Sequence, residues 1–112
     1  ATGDGINHAS CHTRAYYFKQ GNHLTSTIKV EDMTREFHIY SIEWSSTGIH
    51  AFVDGEKYYT YDKLNGEWEW PFNNPQNIIM NLAMGGGMGG PIDENLTSQK
   101  LLIDYVRVYQ KK

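Results

Sequence analysis

Carboxylates are the first residues in this chain to consider for chemistry, because two side-chain carboxyl groups held close together can divide acid and base roles between them. Glu67 and Glu69 flank Trp68 and would share one face of an extended segment, with Cα atoms roughly 6.5 Å apart. They are the only local carboxylate pair with tolerable geometry. Asn65-Gly66 before them and Pro71 after them are loop signals, so a surface role outweighs catalysis. Glu31-Asp32 with Glu36 falls in a turn-like, polar stretch and reads as a solvated loop. The five histidines show no zinc-like spacing. Cys11 is the lone cysteine, so no internal disulfide forms and packing alone must hold the fold.

A second feature is Gly85 to Gly90 (GGGMGG), in which five of six residues are Gly. Each raises the entropy cost of folding. Two readings offset that cost: a loop whose backbone approaches a ligand closely, or a tight connection between sandwich layers. A phosphate cradle does not fit, because no Lys-Ser/Thr pair and no helix start follow.

The elements that must position these residues are strands. Glu36 to Trp44 (EFHIYSIEW) and Gly48 to Val53 (GIHAFV) are dense in β-branched and aromatic residues. Asp54-Gly55 separates GIHAFV from Glu56 to Tyr61 (EKYYTY), the expected two-residue hairpin turn because Gly accepts φ > 0. Further strands are expected at Asn7 to Phe18, Leu24 to Val30, Asn77 to Met84 and Leu101 to Tyr109. Asn77 to Met84 (NIIMNLAM) is almost continuously apolar, the pattern of a strand buried on both faces. No apolar stripe of helical spacing extends over ten residues elsewhere, so very little helix is expected. Short strands broken by Gly-rich turns read as an all-β sandwich or barrel.

Composition supports the same class. Eight Tyr, four Phe and three Trp among 112 residues fit pleated, half-buried surfaces and offer flat faces for ligands. The formal net charge of −3 supplies no basic field for phosphate backbones, so nucleic acid is not an expected partner. No apolar run approaches a membrane span. Residues 1–112 read as a single unit, without linker, repeat or charge block.

Three blocks, taken in order, resemble one family: Phe37 to Trp44 with Ile49 to Gly55 (FHIYSIEW…IHAFVDG), Trp70-Pro71-Phe72 with Ile78 to Gly86 (WPF…IIMNLAMGG), and Ile103 to Tyr109 (IDYVRVY). They look like the C-terminal half of glycoside hydrolase family 16, especially its laminarinase-like endo-β-1,3-glucanases. Cys11 to Tyr17 (CHTRAYY) is similar to the strand that follows the catalytic strand in those enzymes. The resemblance implies an all-β, concanavalin-like jelly roll, of which this chain is the C-terminal half, and retaining cleavage of β-glucans or galactans. Sandwich domains run to about 200–250 residues, about twice this length.

Retaining hydrolysis needs two carboxyl groups about 5–5.5 Å apart. The family supplies them from a Glu-x-Asp-x-x-Glu strand, and that pattern does not occur here. The resemblance has the chain starting immediately after the second catalytic Glu, inactive by itself and without a catalytic residue.

Other residues match cleft positions of the family. His12 matches one that points into the cleft, where an imidazole hydrogen-bonds sugar hydroxyls or tunes a carboxylate; a plain surface His is the equal alternative. Asn81 matches a residue that reaches the sugar near the cleavage point. Trp70 matches a place where an indole could stack on a glucosyl ring, with core packing in close competition. Trp44 reads as half core and half cleft floor. Gly85 and Gly86 belong to the loop lining the cleft, and Met88 stands where many laminarinases carry Trp, which softens that wall. Asp104 matches a calcium ligand, with the other ligands expected from an N-terminal half.

The implied partners are a β-glucan polysaccharide and either the N-terminal half of the same domain or a self-associating copy. A non-catalytic β-glucan-binding module is the alternative function. The substrate class implies an extracellular or periplasmic (secreted) location, and Asn95-Leu96-Thr97 is a glycosylation acceptor sequence in a secreting eukaryote.

Overall fold

A computed structural model describes residues 5–63, 66 and 68–111. Where the sequence reads as one unit, the packing divides into two compact units, Ala1–Asn77 and Ile78–Lys112.

Among the described residues the first unit holds five antiparallel strands: β1 (Ile6–Cys11), β2 (Leu24–Lys29), β3 (Tyr40–Trp44), β4 (Gly48–Val53) and β5 (Glu56–Asp62). One sheet pairs β1 with β2, and the other runs β3-β4-β5. The expected hairpin is present. Asp54 and Gly55 both have positive φ, 49° and 84°, the requirement of a two-residue turn that matches strand twist. Ala51 pairs with Tyr59 but Phe52 with Lys57, so Tyr58 is the extra residue of a bulge. A bulge re-aims a side chain, and the Tyr58 hydroxyl accepts from Asn7 Nδ2 of β1 at 2.8 Å.

Alternation on β5 buries Tyr59 and Tyr61 and leaves Thr60 and Asp62 exposed. Around them lie Cys11, Ala51 and Trp70, with Phe72 half-buried beside them. Tyr61 and Trp70 stack with centroids 5.8 Å apart and planes 10° from parallel, and Phe72 meets both edge-on. Tyr59 ties the sheets together: its hydroxyl accepts from the Cys11 amide at 2.9 Å and donates to the Leu24 carbonyl at 3.2 Å. Burial pushes the Tyr59 phenol well above its ordinary range, and burial also raises the Cys11 thiol.

Two strand expectations are too long. β1 stops at Cys11, well short of Phe18, because polar side chains offer the backbone other partners. Thr13 Oγ1 accepts from the Tyr16 amide at 3.0 Å, and Asn22 bonds both the Tyr17 amide and the Ala15 carbonyl. A 3₁₀ turn at Phe18–Gln20 follows. Likewise β3 begins at Tyr40 rather than Glu36, since the Asp32 carbonyl captures the Arg35 and Glu36 amides.

The second unit departs further from expectation. Asn77 to Met84 and Leu101 to Tyr109 pair with no strand among the described residues. They are also not buried on both faces: Ile79 is 82% exposed and Val108 is 77% exposed. An apolar, β-branched pattern makes a segment fit for a ladder, but the ladder's hydrogen bonds belong to a neighbouring strand. The one α-helix among the described residues, α1 (Gly86–Gly89), is a single turn closed by the Gly90 amide on the Gly86 carbonyl at 3.0 Å. No helix among them is long and apolar enough to cross a membrane.

Candidate functional site

Three of the candidate residues lie in the first unit. His12 follows the last residue of β1 and is exposed. Its ring stacks on His23 with centroids 5.8 Å apart and planes 24° from parallel, while Phe18 meets it edge-on at 6.0 Å. Trp44 ends β3, paired with Ile49 of β4, and is 47% exposed. It is not among the residues of the core cluster.

Trp70 is different, being 2% exposed. Its indole N–H donates to Asn73 Oδ1 at 3.1 Å and its face is covered by Tyr61. This places Trp70 in the core, the competing reading of that residue.

The remaining candidates belong to the second unit. Asn81 is exposed and carries none of the cost of an unsatisfied buried amide. Gly85 and Gly86 have φ of 72° and 76°, a left-handed backbone that excludes most side chains. The backbone turn itself therefore accounts for Gly at these two positions. Met88 on α1 is 62% exposed. Asp104 is exposed, and no group of three His, Cys, Asp or Glu able to hold a metal occurs among the described residues. Calcium takes six to eight oxygens, and the described residues assemble no such shell around Asp104.

Among the carboxylates, Glu67 lies outside the described residues, and the Glu67/Glu69 pair with it. The Glu69 carbonyl accepts from the Tyr61 hydroxyl. Glu31 pairs with Lys29 at 2.9 Å on an exposed surface, as a solvated loop does. Asp32 lies in the same turn, its side chain 45% exposed, with Oδ1 3.0 Å from His38 Nε2.

His38 is the residue that sequence reasoning missed. Its Nδ1 bonds Asp54 Oδ2 at 2.7 Å, while Asp54 Oδ1 accepts from the Ile39 amide at 2.8 Å. Nε2 faces Asp32 closely enough for charge attraction, although outside hydrogen-bond geometry. Its side chain is only 13% exposed. The bond to Asp54 raises the His38 pKa, with both carboxylates adding attraction against the opposing effect of burial. The same bond, with the Ile39 amide, holds Asp54 below its ordinary carboxylate value. A signal was available, because a hairpin Asp with positive φ directs its carboxylate at nearby backbone.

A pH dependence follows. Since His38 binds its proton more tightly when folded, its stabilisation is complete below the ordinary imidazole value of 6.5 and is lost as pH rises through the higher folded value. Asp54 works in reverse, stabilising above 3.8 and losing its effect as pH falls through the lower folded value. The clamp is therefore strongest between those limits. Urea midpoints of the unchanged protein should fall as pH rises above 6.5 through the His38 titration, and His38→Ala should remove that slope.

Comparison with known proteins adds an independent line. The pattern of glycosyl hydrolases family 16 matches residues 3–107. A beta-glucanase of Rhodothermus marinus is 38% identical over 111 residues, covering 92% of this chain and 39% of that protein. Glucan endo-1,3-beta-glucosidase A1 of Niallia circulans is 30% identical over 87% of this chain and 14% of its own length. Keratan-sulfate endo-1,4-beta-galactosidase of Sphingobacterium multivorum is 34% identical over 69% of this chain and 19% of its own length. The crystal structure of the Rhodothermus marinus laminarinase superposes with a TM-score of 0.60 at 32% identity, over 63% of this chain and 31% of that one. The chain thus spans well under half the length of these relatives. The nearly all-β architecture matches that jelly-roll fold, as expected.

Proposed function

The chain belongs to glycosyl hydrolases family 16, enzymes that act on glycosidic bonds, and from that membership we propose that it forms the substrate-cleft portion of a retaining endo-β-1,3-glucanase. The observation that carries this reading is the 38% identity to a beta-glucanase across 92% of the chain. The Glu-x-Asp-x-x-Glu pattern is absent from the sequence, so the nucleophile and the acid/base come from a further segment of the domain. Their separation of about 5–5.5 Å defines the retaining outcome.

Within that arrangement each residue of this chain has a binding task. His12 exchanges hydrogen bonds with sugar hydroxyls, through whichever ring nitrogen carries the proton. Trp44 offers a half-exposed indole face to a pyranose ring. Asn81 supplies an amide able to donate and accept together, and the backbone of Gly85 and Gly86, with Met88, lines the wall. Asp104 contributes one oxygen to a calcium shell completed elsewhere in the domain. A polysaccharide substrate is met outside the cell, which places the protein in an extracellular or periplasmic compartment.

The partner in this reading is the N-terminal half of the domain. The chain alone should release no reducing sugar from laminarin. Mixing it with a separately produced N-terminal half should restore release, and a folded, stoichiometric mixture without activity would overturn the proposal. The half-exposed Trp44 also suits a glucan-binding module. Retarded migration of the chain alone in laminarin gels, combined with an inactive mixture, would select that second reading.

A further inference from the structure

The register of β1 and β2 brings together two histidines that stand 11 positions apart in sequence. The last paired residues are Cys11 and Leu24, so the next opposed positions in the same antiparallel register are His12 and His23. Directly opposed residues have Cβ atoms about 4.5–5.5 Å apart, and the two rings stack with centroids 5.8 Å apart. We infer that His12 and His23 form a two-histidine site for a divalent transition-metal ion of the zinc and copper class.

The spacing supports this. An imidazole nitrogen lies about 1.2 Å from its ring centre, and a zinc–nitrogen bond is about 2.0–2.1 Å. Two imidazoles sharing one tetrahedral ion therefore have centroids roughly 5.2 Å apart, and roughly 6.4 Å when they bind from opposite sides. The observed 5.8 Å is a stacking separation of the same size, so the two rings are close enough to share an ion once a nitrogen of each is turned toward it. The rings lie face to face, 24° from parallel. Binding one ion through a nitrogen of each therefore requires the side chains to turn from this stacked arrangement.

A second observation points the same way. His23 Nδ1 is buried without a hydrogen-bond partner, an arrangement that folded proteins avoid. Rotation onto the ion ends that burial and gives the nitrogen a ligand. Imidazole is a preferred donor for zinc and copper. Among the described residues no third His, Cys, Asp or Glu completes a set, so water fills the other positions and the site is weaker than a closed four-ligand centre. The other histidines are placed differently: His8 faces Thr27, His50 bonds Thr60, and His38 is held by Asp54.

The inference shares His12 with the glucanase reading but does not depend on it, and it is tested on the chain itself, without glucan, with Zn(II) alone and Cu(II) alone. Calorimetry should show saturable binding of one ion, and ring signals of His12 and His23 should move together in zinc titrations followed by NMR. His12→Gln and His23→Gln should each weaken binding at least about tenfold, whereas His8→Gln should leave it unchanged. Far-UV circular dichroism checks that each variant folds, and the ring signals of the unchanged protein report the site without any substitution. No saturable binding of either ion, binding that survives both substitutions, or ring shifts confined to other histidines would each overturn the inference.

Discussion

Replacing Trp70 by Ala should lower the stability of the first unit by about 3–5 kcal/mol, the usual cost of removing a buried aromatic side chain. The indole is buried, stacked on Tyr61, meets the edge of Phe72 and donates to Asn73. Truncation removes all of these contacts and opens a cavity under Tyr61, the most deeply buried large side chain among the described residues. Small domains have about 5–15 kcal/mol in total, so the loss should be visible as a large shift in the urea midpoint. Trp70→Phe, which keeps an aromatic face but loses the indole N–H, should cost clearly less. The experiment also separates two roles. If Trp70 served the cleft rather than the core, Trp70→Ala would weaken laminarin binding and leave the urea midpoint nearly unchanged.

Tyr59→Phe should cost about 1–3 kcal/mol by the removal of a single oxygen. That oxygen accepts from the Cys11 amide and donates to the Leu24 carbonyl. Its loss leaves two backbone groups without this partner at the junction of the two sheets. A second readout comes from alkaline titration. The buried phenol is held protonated well past its ordinary value of 10.0, so folding stability is complete below pH 10 and declines as pH rises through the higher folded value. Tyr59→Phe should show a shallower decline above pH 10. An identical alkaline slope in both proteins would place the titrating group elsewhere.

These two residues show how far local pattern carries. Tyr59 and Tyr61 are legible as inward-facing because they alternate with Thr60 and Asp62 along a short strand after an Asp-Gly turn. The bulge at Tyr58 is not legible, since it depends on which residues of β4 stand opposite. Trp70 has the same composition signal whether it packs inward or faces a sugar, and only its contact with Tyr61 decides. Thr13 and Asn22 end the aromatic run after Cys11 through side-chain bonds to the backbone, a competition that strand propensity does not include.

The metal pair is illegible for another reason. Zinc-like spacing is a local signature, whereas His12 and His23 meet only because two strands run antiparallel in one register. The His38 clamp likewise joins residues 16 positions apart through the hairpin turn.

By itself the sequence determined the all-β class, the β4–β5 hairpin, the family and the absence of the catalytic carboxylate pattern, because each is written in residue types at short spacing. Tertiary structure decided which strands are paired, which aromatics are core, and which histidines meet. Asn77 to Met84 and Leu101 to Tyr109 mark the boundary between the two. Their apolar pattern makes them suited to a sheet, but a strand's hydrogen bonds are made with its neighbour, and no neighbour is encoded in the strand itself.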